Sequence, residues 1–243
     1  MGYGWRRGWG FRMDERKILP RWMLWVAVPS IMALTAVLWG TPFRLSPVYY
    51  TVMILLGIGV LRPRLSERLQ RLPGPVWLRY ILLGYAAVVV EESLVGTLFT
   101  LAEGAGPLLW LTRMTQFIAF NLFAFSGAIW GLGFAYGRWP GLRHWHFWLA
   151  GLWGLFAEQT LVLLVQNPIA GLILIAPNMV VYAIILAPAM LSLPPKPGTP
   201  VRIWSLPLAW GIMLVFSVAP VLGLMALRGA YPDAFPACVY IAC

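Results

Sequence analysis

Two adjacent glutamates, Glu91 and Glu92, interrupt the apolar run AAVVVEESLVGTLF. An ionised side chain at the centre of a bilayer costs ~2.5–3.5 kcal/mol on insertion scales. Since the surrounding run holds no Lys or Arg, these carboxyl groups need protons, a metal ion or a polar partner. Adjacent helix positions point about 100° apart, so we expect one carboxyl to face a site and the other a neighbouring helix. The alternative is a pair of protonated donors that holds helices together.

Other polar residues interrupt later apolar runs. Glu158 and Gln159 lie in LWGLFAEQTLVLL, and Asn178 follows Pro177 in ILIAPNMVVY. Pro177 leaves a backbone carbonyl free one turn earlier, and an Asn side chain both donates and accepts hydrogen bonds. Judged by depth, one layer of the bilayer contains Glu91, Glu92, Glu158, Gln159 and Asn178, while Asn121 lies nearer the outer face. Such a layer is typical of ion paths, proton relays and buried catalytic sites, although purely structural bundles contain such layers too.

The three glutamates in this layer are the candidate proton- or cation-handling residues, and Gln159, Asn178 and Asn121 are candidate binding residues. Buried carboxyl groups close to each other favour the protonated form. We therefore expect at least one of Glu91, Glu92 and Glu158 to carry a proton near neutral pH.

The histidines and cysteines predict no metal site. His144 and His146, two residues apart, would point in different directions on a helix, so we interpret them as interfacial histidines. Cys238 and Cys243 lie in the last six residues and have no histidine near them. They form either a disulfide or two free thiols. No lysine lies within an apolar run, which excludes a retinal Schiff base, and the cofactor stays undetermined.

Composition indicates a membrane protein. Of 243 residues, 60% are apolar and 11% are charged, with a mean hydropathy of +0.78. Soluble domains carry about 25% charged residues, so lipid must be the main solvent here. The net charge of +10 does not indicate nucleic acid, because the basic residues lie in short loops between apolar runs. Anionic lipid headgroups are the better partner for them.

Seven apolar stretches are long enough to cross a bilayer as helices, which needs about 20 residues each. They predict an all-α, multi-pass bundle in the cell membrane over 22–227, with the spans at roughly 22–40, 46–61, 78–101, 115–136, 147–166, 168–192 and 203–227. The fifth and sixth spans are expected to meet in a tight hairpin at Gln166-Asn167-Pro168.

The loop charges predict the orientation. With a basic, aromatic cytoplasmic segment at 1–21, fifteen of the eighteen Lys and Arg fall on the inner side. Such an excess is the positive-inside pattern, so we expect an inner N-terminus and an extracytoplasmic tail at 228–243. Between the second and third spans, residues 62–73 have leucines at helical spacing and arginines between them, which predicts a helix on the inner leaflet. Residues 193–200 form a stiff, Pro-rich connector.

Small residues predict a close helix contact in the fourth span. They lie within SGAIWGLGFAYG and are Ser126, Gly127, Gly131 and Gly133. Small residues at such spacing let the backbones of membrane helices approach each other.

The order of these features resembles the CAAX protease and bacteriocin-processing family of intramembrane proteases. Glu91-Glu92 matches the family's Glu-Glu pair, and Trp130 stands for the Phe of its second motif. Phe134 occupies the place of the second motif's histidine, ILIAPNMVVY has no histidine, and the Arg that follows the pair is missing. In that family the glutamates activate a water molecule and the histidines complete the site. The resemblance, over roughly 85–185, therefore implies a relative without proteolytic activity.

Three functions fit the sequence. The first is proton- or cation-coupled transport of an apolar or cationic small molecule. The second is an intramembrane enzyme, with a Glu as acid or base, acting on a lipid or an isoprenoid. The third is a non-catalytic subunit of a membrane complex or oligomer. Transport is the primary hypothesis, because carboxylates in a shared layer suit it directly.

Overall fold

The computed structural model describes residues 21–41, 44–60, 62–104, 106–194 and 203–233. These residues form α-helices and one 3₁₀ helix, with no β-strand among them. The helices are α1 (Arg21–Leu38), α2 (Ser46–Val60), α3 (Pro63–Gln70), α4 (Val76–Ala102), α5 (Pro107–Arg138), the 3₁₀ helix (Pro140–Trp145), α6 (His146–Ala157), α7 (Thr160–Gln166), α8 (Pro168–Leu191) and α9 (Ser205–Ala230). The predicted all-α class is confirmed.

Several helices have the length and composition of membrane spans. α4, α5, α8 and α9 each suffice alone, and two bent pairs raise the number to six. The bent pairs are α2 with α3, and the 3₁₀ helix and α6 with α7. α1 contains a shorter apolar helix, Trp25–Leu38, where the sequence predicts the first span. The chain thus has several apolar helices compatible with a multi-pass membrane protein.

Helix α8 lies at the centre of the bundle. From Ala176 to Leu191 almost every residue is buried, as expected for a helix that is apolar on all sides. α1, α2, α3, α4, α6 and α7 all pack against it. Residues of its first half, including Ile169 and Leu172, are exposed. The core therefore surrounds the second half of α8, and the polar residue Asn178 lies close to where that core begins.

Glycines bring α5 close to two neighbours. A Cβ atom on Gly127 would lie 2.5 Å from Ser217 Cα of α9, and one on Gly131 would lie 2.6 Å from Met213 Cα. Gly133 faces α4, where a Cβ would lie 2.5 Å from the Trp77 ring. The predicted small-residue contact is confirmed, and it joins α5 to both α9 and α4.

The predicted helix over 62–73 corresponds to α3, which is tied to the end of α8. Gln70 Nε2 donates to Leu191 O at 3.1 Å, and Ser66 Oγ donates to the same carbonyl at 3.3 Å. The predicted hairpin between the fifth and sixth spans is also confirmed. α7 ends at Gln166 and α8 begins at Pro168.

The predicted fifth span over 147–166 is a bent pair of helices, because the helix breaks at Glu158-Gln159. α6 ends at Ala157, α7 begins at Thr160, and the two segments meet at an angle of 59°. Gln159 has φ of 52°, in the left-handed region that stops an α-helix. Such a conformation costs about 1–3 kcal/mol and persists where surrounding contacts hold it.

Several sequence predictions fall outside the described residues. These are the N-terminal segment through residue 20, most of the Pro-rich connector, and the Cys238–Cys243 pair.

Candidate functional site

The two neighbouring glutamates of α4 point toward different helices, as their angular separation requires. Glu91 Oε1 accepts a hydrogen bond from Tyr49 OH of α2. The Glu92 carboxyl interacts with the Asn121 side chain of α5. Glu91 is 6% exposed and Glu92 is 4% exposed. The pair is therefore enclosed between three helices.

One oxygen of the pair has no donor. Glu91 Oε2 is buried and accepts no hydrogen bond from the described residues. The Glu92 carboxyl interacts electrostatically with that of Glu91. Two ionised carboxylates can only accept hydrogen bonds and repel each other, and a proton on one of the two would relieve that repulsion.

The third glutamate lies at the break between α6 and α7. Tyr182 OH of α8 donates a 2.6 Å hydrogen bond to Glu158 Oε1. The Tyr182 ring stacks on Phe125 of α5, with centroids 5.3 Å apart and planes 8° apart. Gly154, one turn before Glu158, makes room for this ring, because a Cβ there would lie 2.5 Å from Tyr182 Cδ2. The stacking on Phe125 and the space at Gly154 thus orient the Tyr182 hydroxyl toward Glu158.

Glu158 interacts electrostatically with both other glutamates, Glu91 and Glu92. Unlike those two, Glu158 is exposed. We call Glu91, Glu92 and Glu158 the carboxyl cluster; it has two enclosed members and one member with access from outside the bundle.

Asn178 forms hydrogen bonds with residues of two other helices near the carboxyl cluster, Tyr50 and Thr160. Its Oδ1 accepts a 2.7 Å hydrogen bond from Tyr50 OH, and its Nδ2 donates a 2.8 Å bond to Thr160 Oγ1. One amide therefore joins α2, α8 and the start of α7. The rings of Tyr49 and Tyr50 pack edge to face with centroids 5.2 Å apart, so adjacent α2 residues serve both Glu91 and Asn178.

The structure brings five of the six candidate residues into one region. Asn121 is half-buried beside Glu92. Gln159 differs, because it is exposed and forms the left-handed turn that ends α6. Its role in the structure is to bend the chain, and it does not join the hydrogen bonds of the cluster.

The sequence interpretation missed the hydroxyl groups of the site, which come from Tyr49, Tyr50, Tyr182 and Thr160. A signal was present for one of them. Tyr182 follows Asn178 by four residues in an apolar helix, and residues four apart share a helix face. The two tyrosines of α2 stand together in a run of apolar residues, but their direction depends on how α2 is rotated.

His146, which the sequence suggests is exposed at an interface, is buried inside the bundle. It is 0% exposed and lies in the core beside α8. Nε2 is 2.9 Å from Ala183 O, and Nδ1 is 2.8 Å from Tyr136 OH. A carbonyl only accepts, so Nε2 carries the hydrogen and Nδ1 accepts from the tyrosine. His146, on α6, therefore joins α5 and α8 by hydrogen bonds. Because both ring nitrogens have a hydrogen-bond partner, the side chain can be buried.

No charged partner neutralises the carboxyl cluster within the described ranges. The electrostatic partners of its three members are other carboxyls and tyrosines. Across the same ranges, no group of three or more His, Cys, Asp and Glu could hold a metal ion. The chemistry of the site is therefore that of carboxyl, phenol and amide groups.

Of the positions that resemble the protease motifs, Glu91 and Glu92 belong to the carboxyl cluster, whereas Trp130 and Phe134 of the second motif do not join it. Trp130 is 39% exposed, and its Nε1 donates to Tyr85 OH at 2.9 Å. Phe134 is 52% exposed and contacts Phe216 of α9. Comparisons of the chain with protein-family models, with curated proteins and with solved structures find no match.

Proposed function

We propose that this chain is a cell-membrane protein with seven spans and an inner N-terminus that moves protons through the carboxyl cluster. The best use of such a cluster is proton-coupled transport of a small molecule. The observation that carries the proposal is the buried Glu91 Oε2, which has no hydrogen-bond donor among the described residues and belongs to a carboxyl that interacts electrostatically with Glu92.

Proton binding follows from the electrostatics of the cluster. Unit charges 4 Å apart interact with about 4 kcal/mol at an effective dielectric constant of 20. Three ionised carboxylates without a basic partner would therefore repel each other strongly. Protons relieve this repulsion, and so would a cationic substrate. Competition between the two for the same carboxyls is the simplest basis for coupling.

Access supports transport over a purely structural role. Glu158 is exposed, whereas Glu91 and Glu92 are buried. A proton or cation can reach Glu158 first and pass inward to the pair on α4. Helix breaks at mid-membrane recur in transporters, where they lie beside the binding site. The break at Glu158-Gln159 contains one member of the carboxyl cluster, which supports the same arrangement here.

The substrate class follows from the surrounding side chains. Negative charge from the cluster combines with the rings of Tyr49, Tyr50, Tyr182 and Phe125. Aromatic rings attract cations through their faces. We therefore propose a lipophilic organic cation as the substrate, exchanged for protons.

Proteoliposomes test this proposal. We expect wild-type protein to release protons from the lumen when tetraphenylphosphonium, a lipophilic cation, is added outside a vesicle with an entrapped pH dye. Glu91→Gln, Glu92→Gln and Glu158→Gln should each reduce the protein-dependent rate at least tenfold. Glu67→Gln is the matched control, because Glu67 is exposed on α3. Equal rates in all four variants and the wild type would refute the proposal.

One observation favours an intramembrane enzyme as the second candidate. Exposed Glu158 is flanked by Phe156 and Leu161, which are 50% and 44% exposed. A glutamic acid beside lipid-facing apolar residues could protonate a lipid or an isoprenoid. Incubation with a membrane lipid extract should then yield a product that Glu158→Gln abolishes, without any proton flux. If all glutamine variants are silent in both assays, a non-catalytic subunit role is favoured instead.

A further inference from the structure

A cavity lies away from the carboxyl cluster, where α4 begins and α5 and α8 end. Its volume is about 250 Å³. The residues that line it are Val76, Trp77, Gly133, Tyr136, Gly137, Pro140, Arg143, Leu193 and Pro194. With one water-sized group filling ~30 Å³ of liquid volume, the cavity holds about eight such groups. That suits a headgroup with its first carbons, and it is too small for a whole lipid.

The described lining combines apolar walls with a cation. Trp77, Pro140 and Leu193 supply apolar surface, and Arg143 is the one charged residue among the described residues that line the cavity. Arg143 is half-buried and its NH1 donates to Leu193 O at 2.7 Å, which fixes the guanidinium at the cavity. A guanidinium stays charged and matches the geometry of phosphate oxygens. The cavity is thus complementary to an amphiphile with an anionic phosphate.

The surroundings place this cavity at a membrane interface. Exposed arginines occur at the same end of the bundle, on α3 and at the end of α5: Arg64, Arg68, Arg71 and Arg138. Trp139 and Trp204 pack edge to face there, with centroids 5.8 Å apart. Aromatic residues of this kind mark the headgroup level, and clustered arginines attract acidic lipids.

A second arginine, Arg79, lies near the cavity, and its NH1 donates to Leu72 O. Arg79 Nε is buried and has no hydrogen bond within the described residues. Arg79 lies on α4 three residues after Val76, so it shares a helix face with that lining residue. Its charge adds to that of Arg143 at the same end of the bundle.

We propose that this cavity binds one acidic phospholipid, with its phosphate at Arg143 and its glycerol and first carbons against the Trp77 and Pro140 walls. The site is independent of the proton chemistry proposed for the carboxyl cluster. Its occupant comes from the adjoining leaflet, where acidic headgroups gather around the exposed arginines.

Native mass spectrometry of the full chain tests this proposal. Delipidated protein is titrated with phosphatidylglycerol or phosphatidylcholine, and one phosphatidylglycerol per chain is expected to remain bound. Arg143→Gln should weaken this binding at least tenfold. Arg64→Gln is the matched control, because Arg64 is exposed at the same end but does not line the cavity.

A second variant tests the cavity itself. A Cβ atom at Gly137 would meet no atom within 4 Å, so Gly137→Leu fills the cavity without a backbone clash. It should also weaken phosphatidylglycerol binding at least tenfold, with an unchanged elution volume. If Arg143→Gln does not fold, Gly137→Leu and the charge-conserving Arg143→Lys decide the question.

Three outcomes would overturn the proposal. The first is equal retention of phosphatidylcholine, which would mean that the net negative charge of the headgroup is not recognised. The second is competition by inorganic phosphate at the same concentration as the lipid, which would assign the site to a free anion. The third is unchanged binding in both Arg143→Gln and Gly137→Leu.

Discussion

Tyr182 OH donates a 2.6 Å hydrogen bond to Glu158 Oε1, which ties the central helix α8 to the break between α6 and α7. The same break is held from its other side by Asn178, which donates to Thr160 Oγ1 at 2.8 Å. Two bonds from one helix thus keep Gln159 in its left-handed conformation. The bend between α6 and α7 therefore depends on α8, which carries both hydrogen-bonding residues, Tyr182 and Asn178.

Tyr182→Phe is predicted to loosen the break. Hydrogen bonds between membrane helices contribute ~0.6 kcal/mol on average and up to ~1.7 kcal/mol. We expect the free energy of unfolding to fall by about 1 kcal/mol, measured by denaturation in mixed micelles. Tyr231→Phe is the control, because Tyr231 is 61% exposed. A double-mutant cycle with Glu158→Gln should show coupling, and additive effects would contradict the bond's contribution.

A protonated carboxyl is predicted near neutral pH. The Glu91 and Glu92 carboxyls interact electrostatically and have no basic partner in the described residues, so we expect a proton on one of them. Infrared spectra of the purified protein should contain the carbonyl band of a protonated carboxylic acid. Glu91→Gln and Glu92→Gln should each remove it, whereas Glu67→Gln should keep it. A wild-type spectrum in which every carboxylate is ionised would contradict this prediction.

The sequence was enough to identify the carboxyl cluster's glutamates, because an acidic residue amid apolar neighbours is conspicuous. It also identified the α5 glycines, since small residues at regular spacing typically let membrane helices pack closely. The break at Gln159 could not be read from the sequence. Nothing in AEQTLV stops a helix, and the left-handed turn depends on contacts with α8.

His146 illustrates a second limit. Beside Trp145 and Trp148, a histidine near the end of an apolar run is typical of an interface. The structure buries it because Tyr136 and the Ala183 carbonyl satisfy both ring nitrogens. Those partners lie 10 and 37 residues away, and their approach depends on tertiary packing.

His146→Leu is therefore predicted to be strongly destabilising. It leaves the Tyr136 hydroxyl and the Ala183 carbonyl buried without their partner, and an unsatisfied buried polar group costs about 1–3 kcal/mol. Tyr136→Phe should cost less, because only the Nδ1 bond is lost. Thermal denaturation in detergent measures both. The half-buried His144 provides the control, and His144→Leu should leave the melting temperature nearly unchanged.

The close contact between α5 and α9 predicts that alanine substitutions of the α5 glycines differ in their effect on stability. Gly127→Ala and Gly131→Ala place a Cβ 2.5 and 2.6 Å from backbone atoms of Ser217 and Met213, so the helices must separate. Gly137→Ala is the matched control on the same helix, because its Cβ meets nothing within 4 Å. We expect the first two variants to lose about 1–3 kcal/mol of stability. Gly137→Ala should be neutral or slightly stabilising, and equal losses in all three would exclude a specific contact.

The proposed orientation can be tested at the two ends of α4. This helix has 27 residues and is about 40 Å long at 1.5 Å per residue, so Arg64 before it and Gly106 after it lie at opposite ends. In a background with both native cysteines replaced by serine, Gly106→Cys and Arg64→Cys each offer one exposed thiol. An impermeant maleimide should label Gly106→Cys on intact cells, and it should label Arg64→Cys only after permeabilisation. Labelling in the opposite order would place the arginine-rich end outside, against the charge distribution from which the orientation follows.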